Sequence, residues 1–408
     1  MNHQSDGITI LDKTLGFLLI LLALSLSTTR GGINTIVALA DLLLIIIYLK
    51  SPFTSRALSS INKAMAIFFV VMAVVSLFSQ DIIRSYTGIF RWVIVFLPFY
   101  FTFYALRKNQ ISADLVIFVI AISTLIGSSI TVWNGLRGIE AYGTGRVGGL
   151  LGVMEFAGIL GLVIPMFLVQ SLEQHDRSTY WRWFFGLVFG MAIVALLYNG
   201  TRGVWISTFS TVGIYLAINH WRNRTVLIIA GICMVVLGFF VASHPKILER
   251  ILLIADTTHY SSNTERLLMW QYGWSTFLAH PLFGLGINTL HSFSFTPDNK
   301  IILGSYLDYI HPTHVHNTYL QVLAETGLAG LSVFGGLFVT IVAAAWRGIK
   351  RAESRRYSWI VLLATLHLLV HGLTDYTFSP SIEFPAYWFI VGLAFTGLVS
   401  DKDPVAKT

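Results

Sequence analysis

The chain has 408 residues, 55% of them hydrophobic and only 12% charged, with a formal net charge of +7. A soluble fold cannot hide that much apolar surface, so the composition implies an integral membrane protein. The positive excess invites a nucleic-acid reading, but the distribution of the charges fits membrane topology better, and no nucleic-acid partner is expected. The single cysteine, Cys233, lies in an apolar run, which leaves no disulfide framework and no cysteine metal site.

A membrane-crossing helix takes about 20 apolar residues. Twelve segments fit that template, at approximately 15–28, 33–49, 64–79, 88–106, 114–132, 149–171, 184–198, 204–219, 225–242, 328–346, 357–375 and 384–400. Lys13 ahead of the first apolar run gives a weak signal-peptide impression; the many segments downstream favour an uncleaved first span. An even number of spans puts both termini on one side. If that side is the cytoplasm, its loops gather 17 of the 27 lysines and arginines, against 6 in the short loops opposite. That asymmetry predicts cytoplasmic termini. The expected fold is therefore an all-α integral membrane protein of about twelve transmembrane helices, a single polytopic domain over 1–408.

One connection, 243–327, is far longer than the rest and falls on the periplasmic side. Loops of that length are usually functional or disordered. This one carries Trp270, Trp274, Phe277, Phe283, Phe293 and Phe295, which argues against disorder. It also holds seven of the twelve histidines: His244, His259, His280, His291, His311, His314 and His316. Within it, Ser262-Asn263-Thr264 ahead of Glu265-Arg266 predicts a helix start with Asn263 or Thr264 as N-cap. Pro281 should end that helix.

Three residues share a position. Arg202 opens the eighth span after the turn Tyr198-Asn199-Gly200-Thr201, Arg266 sits in the first turn of the loop helix, and His316 precedes Asn317-Thr318, where the helix into the tenth span should begin. A cation at a helix N-terminus opposes the macrodipole, at a cost of about 0.3–1 kcal/mol. A purpose beyond helix stability is expected. Helix N-termini attract anions, and guanidinium groups grip phosphate oxygens bidentately. A histidine at such an end is disfavoured as the cation and is suited to accepting a proton. Two anion grips and one base equip a site to displace a phosphate leaving group with a hydroxyl.

Blander readings compete. An outer arginine near a span end is most often an interface anchor, and a loop histidine is more often solvated or capping than a base. His311, His314 and His316 form an H-x-x-H-x-H set that could hold zinc, but neither a carboxylate nor a cysteine completes it, and no metal or cofactor is expected. Glu155 is the one clear intramembrane carboxylate; it either pairs with Arg146 or touches substrate. His367 and His371, one turn apart, fit interhelical hydrogen bonding. Asp375 and Glu383 are expected to be solvated.

The run His316-Asn317-Thr318-Tyr319-Leu320, followed by Glu325-Thr326-Gly327-Leu328-Ala329-Gly330, resembles the signature of the O-antigen ligase and polymerase superfamily. Thr201-Arg202-Gly203, the segment around Arg266, and Pro281-Leu282-Phe283-Gly284-Leu285-Gly286 follow that family's order. A serine is commoner at Thr201, and an amide is expected where Glu155 stands. The resemblance implies a metal-independent, inverting glycosyltransferase of the GT-C type in a bacterial inner membrane. Its donor would be a glycan on undecaprenyl pyrophosphate and its acceptor a hydroxyl of the lipid A–core oligosaccharide. Carried over, it makes His316 the catalytic base and Arg202 and Arg266 the pyrophosphate ligands, with Asn317, Glu155, Arg146 and His314 as further candidate contacts. The polymerase of the same superfamily is the nearest alternative. From another class, a polytopic transporter would place its charges near the midplane and show repeated halves; neither is visible here.

Overall fold

The computed structural model describes residues 8–55, 58–141, 145–173, 178–254, 261–290, 314–379, 382–399 and 406–407. His259, His291, His311, Phe293 and Phe295 lie outside the described residues. The described chain is almost wholly helical: α1 (Ile10–Ser25), α2 (Arg30–Lys50), α3 (Ser59–Ser76), α4 (Ile82–Asn109), α5 (Ala113–Leu136), α6 (Val153–Leu172), α7 (Thr179–Asn199), α8 (Arg202–Asn219), α9 (Arg224–Ala242), α10 (Pro245–Leu252), α11 (Ser261–Ala279), α12 (Thr318–Gly348), α13 (Ala352–His371) and α14 (Glu383–Leu398). A two-residue antiparallel pair, Phe53–Thr54 with Ala406–Lys407, is the exception.

Each of the twelve expected apolar segments coincides with one of these helices. Eight helices among the described residues are long and apolar enough to cross a membrane unaided, namely α2 to α7, α9 and α12. The chain is a multi-pass membrane protein by that measure. α1 and α14 have 16 residues each, about 24 Å at 1.5 Å per residue, short of a hydrocarbon core of about 30 Å. α9 buries none of its residues fully and meets the core through half-buried Leu237, Phe240 and Val241.

Local sequence sets the helix starts. Thr9 and Asp12 form a reciprocal capping box on α1. Asp81 accepts the Arg84 N–H at 2.9 Å to open α4, and Asn223 caps α9. The core between them is aromatic. Phe96 meets Trp388 at 4.4 Å between ring centroids, and Phe378 meets Phe384, Trp92 and Phe334 at 4.5, 5.0 and 5.0 Å. Phe378 is almost fully buried. It therefore fixes the turn between α13 and α14 against α4 and α12.

The described part of the long connection is organised around a break in α12. Gly327 has φ 61° and ψ −162°, so the helix stops and restarts there. The broken backbone groups find partners in the segment after α11. Leu285 and Gly286 donate to the Ala324 and Glu325 carbonyls, while Leu328 and Ala329 donate to the Pro281 and Leu282 carbonyls, all at 2.9–3.1 Å. A Cβ on Gly284 would lie 2.3 Å from Glu325 C, and one on Gly327 2.4 Å from Leu282 C. The two glycine motifs are thus one joint. Beyond it the helix runs from 328 to 348, about 31 Å, which is the length of one span.

Charged groups collect at the two ends of the bundle. At one end Arg356 pairs with Asp114 at 2.8 Å and Arg355 with Glu173 at 3.1 Å. At the other, Arg30 pairs with Glu155 at 2.9 Å. This last contact corrects the expected Glu155–Arg146 pairing: α2 and α6 both begin at that end, so Arg30 reaches the carboxylate first. Arg146 instead approaches the Met154 sulfur at 3.4 Å. Glu155 is also not the one carboxylate within an apolar helix, because Asp41 stands midway along α2, 4% exposed and with no hydrogen-bond partner on either oxygen among the described residues.

Candidate active site

α11 is the strut that links the three singled-out residues. It begins at Ser261, two or three residues ahead of the expected cap, so Asn263 lies inside its first turn and its side chain is left to bond sideways. Asn263 Oδ1 accepts from Arg202 Nη2 at 3.0 Å, and Arg202 Nη1 donates to the Leu253 carbonyl at 2.6 Å. One turn beyond Asn263 comes Arg266. One turn further, Trp270 donates its indole N–H to the His316 carbonyl at 3.3 Å. From Asn263 to Trp270 the helix rises about 10 Å. Residues 202, 266 and 316, far apart in the chain, therefore meet one short stretch of one helix.

His316 is held from every side. Its φ of 47° is left-handed, uncommon for a residue with a Cβ. Asn317 caps α12 by accepting from the Tyr319 and Leu320 N–H groups at 3.0 Å. The turn after α13 wraps the same helix start. Thr318 N–H donates to the Gly372 carbonyl at 2.7 Å, Asn317 Nδ2 to Leu373 O at 3.0 Å, and Thr377 N–H to the Thr318 hydroxyl at 2.9 Å. This brings Asp375 Oδ1 to 2.9 Å from His316 Nδ1. The His316 side chain is 30% exposed and Asp375 16%. Burial alone would raise the Asp375 carboxyl. The hydrogen bond from His316, the charges of His371 and His316 and the Tyr376 N–H outweigh burial and hold it below the ordinary carboxylate range.

An ionised carboxylate only accepts hydrogen bonds. In the neutral imidazole the hydrogen therefore sits on His316 Nδ1, which leaves the lone pair on Nε2. His314 packs its ring 4.3 Å from that of His316 and 6.3 Å from that of Tyr376. Burial lowers the His314 imidazole, the neighbouring His316 adds to this, and Asp375 opposes it, so the net direction is down.

Asp375 and Glu383 are buried or nearly so, which corrects the expectation that they are solvated. Glu383 Oε1 lies 2.9 Å from His371 Nδ1 and 3.5 Å from His367 Nε2, a link between α13 and α14. The charge on Arg266, on α11, reaches His371. A carboxylate does join the histidine set: His314, His316 and Asp375 hold ligand atoms within 4.8 Å of one another, as do His367, His371 and Glu383. Both groups have donors suited to a divalent ion; in both, the carboxylate–imidazole bonds already account for the arrangement.

Arg250 is a residue the sequence did not single out. It is 6% exposed, and its Nε lies 3.1 Å from where a Cβ on Gly200 would stand, with Arg146 Cγ 3.5 Å from the same point. Arg146 and Arg250 thus flank the turn that presents Arg202. Nearby, Glu140 is bonded by Lys246 and the Gly145 N–H, which lower its carboxyl.

Residues 187–335 match the family model described as O-antigen ligase. That stretch is similar to the O-antigen ligase family. The matched stretch contains Arg202, α11 with Arg266, the Pro281–Gly286 segment and the His316–Gly330 run; Asp375 lies beyond it. The chain is also similar to "Exopolysaccharide production protein ExoQ" from Rhizobium meliloti (strain 1021), 24% identical over 213 residues, 45% of this chain and 48% of the relative. The match spans about half the length of that relative. The resemblance to the O-antigen ligase and polymerase superfamily thus rests on the stretch that carries the α11 strut and the broken helix.

Proposed function

We propose that the chain is an inverting, metal-independent O-antigen ligase. It transfers a glycan from undecaprenyl pyrophosphate to a hydroxyl of the lipid A–core oligosaccharide, on the periplasmic face of a bacterial inner membrane. The supporting observation is the Asp375-oriented imidazole of His316 on the helix frame that also meets Arg202 and Arg266. The O-antigen ligase family match over 187–335 supports the reaction class.

In this reading His316 Nε2 takes the proton of the acceptor hydroxyl as its oxygen attacks the anomeric carbon. The bond from that carbon to the pyrophosphate oxygen breaks on the opposite face, so configuration inverts. Asp375 holds the tautomer and stabilises the imidazolium that forms. A base of this kind contributes about 10²–10⁴-fold. The leaving pyrophosphate collects negative charge, which Arg266 and Arg202 offset. Two Arg202 nitrogens already bind Leu253 and Asn263, so Arg202 both seats α11 and lends charge to the site. His314, Asn317 and Arg146 lie around the same helix start and turn; the Arg30 pairing of Glu155 favours a structural role there.

The topology of twelve spans with cytoplasmic termini and a periplasmic 243–327 insert belongs to this proposal. A second reading, extension of one lipid-linked glycan by another, draws on the exopolysaccharide name of the similar protein. A transfer assay separates them. Purified protein receives a lipid-linked donor with either lipid A–core or a second lipid-linked glycan as acceptor. Product on lipid A–core alone is expected; product only on the lipid-linked glycan would make the chain a polymerase.

A further inference from the structure

A concavity of about 670 Å³ opens at the start of α4, lined by Asp81, Ile83, Arg84, Thr87, Arg91 and Asn288. Asp81, Arg84 and Arg91 fall at helical spacings of three and seven, so they share a face, with the two guanidinium groups two turns apart. The Asp81 carboxylate is occupied in capping the helix through the Arg84 N–H. Among the described residues, neither arginine side chain makes a hydrogen bond or an ion pair. The charge on Arg84 acts on buried Glu325, but that carboxylate is already bonded by Gln321 Nε2 at 2.8 Å and is acted on by the Asn288 N–H. Two cations thus face a cavity without partners of their own.

The surroundings fit an amphiphile. Ile82, Ile83 and Phe90 beside the cavity are 46%, 80% and 65% exposed. The last turn of α4 carries Arg107 and Lys108. Counting back about 20 residues from there, one hydrocarbon thickness, reaches Gly88. Arg84 then stands at headgroup level, and Arg91 reaches that level by extending its stem. The cavity also adjoins the proposed base by a route separate from α11. Trp92, next to Arg91, acts electrostatically on Tyr376, the residue after Asp375.

We propose that this concavity binds a phosphate group of the membrane-embedded glycolipid acceptor and so brings the acceptor hydroxyl toward His316. The assignment of acceptor rests on the transfer reaction proposed above; the phosphate site rests on the geometry of α4. A guanidinium pair is suited to phosphate by bidentate bonding.

The test uses full-length protein in phosphatidylcholine nanodiscs, with binding measured in the absence of donor. The probes are lipid A–core, its dephosphorylated form, inorganic phosphate and phosphatidylglycerol. Wild type should bind the phosphorylated glycolipid at least tenfold more tightly than the dephosphorylated form. Arg84→Gln with Arg91→Gln should erase that preference, Arg91→Gln alone should weaken it, and the paired lysine variants should restore part of it. In turnover, the acceptor KM should rise in the glutamine variants while the donor KM holds. Equal binding by wild type and the double variant, with matching unfolding temperatures, would overturn the site. Displacement by phosphatidylglycerol or inorganic phosphate at equal concentration would also overturn it, making the cavity a general lipid or free-anion site. If arginine-dependent binding persists but no transfer to lipid A–core occurs, the phosphate site stands and the reaction reading falls.

Discussion

At the scale of single residues, the left-handed backbone of His316 sets the proposed base apart from its neighbours. A bulky residue at φ 47° costs of order 1–3 kcal/mol and persists only where its surroundings over-determine it. Here Trp270, Asn317 and Asp375 do so. His316, Arg202 and Arg266 stood out in the sequence as candidates because a cation or an imidazole at a helix N-terminus works against the dipole. Asp375 was not, because a lone aspartate just past an apolar run looks solvated. Its partner stands 59 residues earlier, and only the turn around Thr318 brings them together. Asp375→Asn keeps the shape but lets an amide nitrogen face Nδ1, so the wrong tautomer gains ground. Transfer should fall by about 10²–10⁴-fold, with normal membrane insertion. The same pair predicts a pH response. The Asp375 carboxyl is held below its ordinary value of about 3.9, so its stabilisation is complete above that pH and is lost only as pH falls through the lowered value. The gap in unfolding temperature between wild type and Asp375→Asn should therefore shrink below about pH 4, and a gap that shrank first above pH 5 would place its origin elsewhere. Arg266→Lys and Arg202→Lys should each lose about tenfold or more, because a point charge replaces a fork; wild-type rates in both would remove the pyrophosphate grip.

At the scale of elements, the joint between the Pro281–Gly286 segment and the break at Gly327 sets the geometry. The sequence displayed both glycine motifs and predicted the end of α11 and the restart of a helix at Leu328. It could not display that the two motifs exchange four backbone hydrogen bonds, because they lie some forty residues apart. Gly327→Ala forces a methyl group against Leu282 at a left-handed position, and Gly284→Ala does the same against Glu325. Each should destabilise by about 1–3 kcal/mol or more, read as a lower unfolding temperature in detergent. Neither substitution touches the reacting groups, so a loss of transfer should track the loss of folded protein. The start of α11 was misplaced by two or three residues, since Ser, Asn and Thr in a row all read as caps. The shift matters, because it frees Asn263 to bind Arg202.

At the scale of the whole molecule, composition alone determined the class and hydropathy located every helix that now coincides with an apolar segment. What composition could not decide is how many helices cross unaided, since α1, α8, α13 and α14 depend on their neighbours for length or polarity. The ion pairs gather at two opposed ends, while Asp41 is buried midway along α2. Single cysteines placed beside His316 and Arg202 should react with an impermeant thiol reagent from the periplasm only; labelling from both sides would favour alternating access and a transporter. The most direct measurement on the central claim is the transfer rate of His316→Ala, purified and folded as wild type, with lipid-linked donor and lipid A–core acceptor. The account predicts a fall of about 10²–10⁴-fold that chelators do not mimic in wild type. Full transfer by His316→Ala would contradict it.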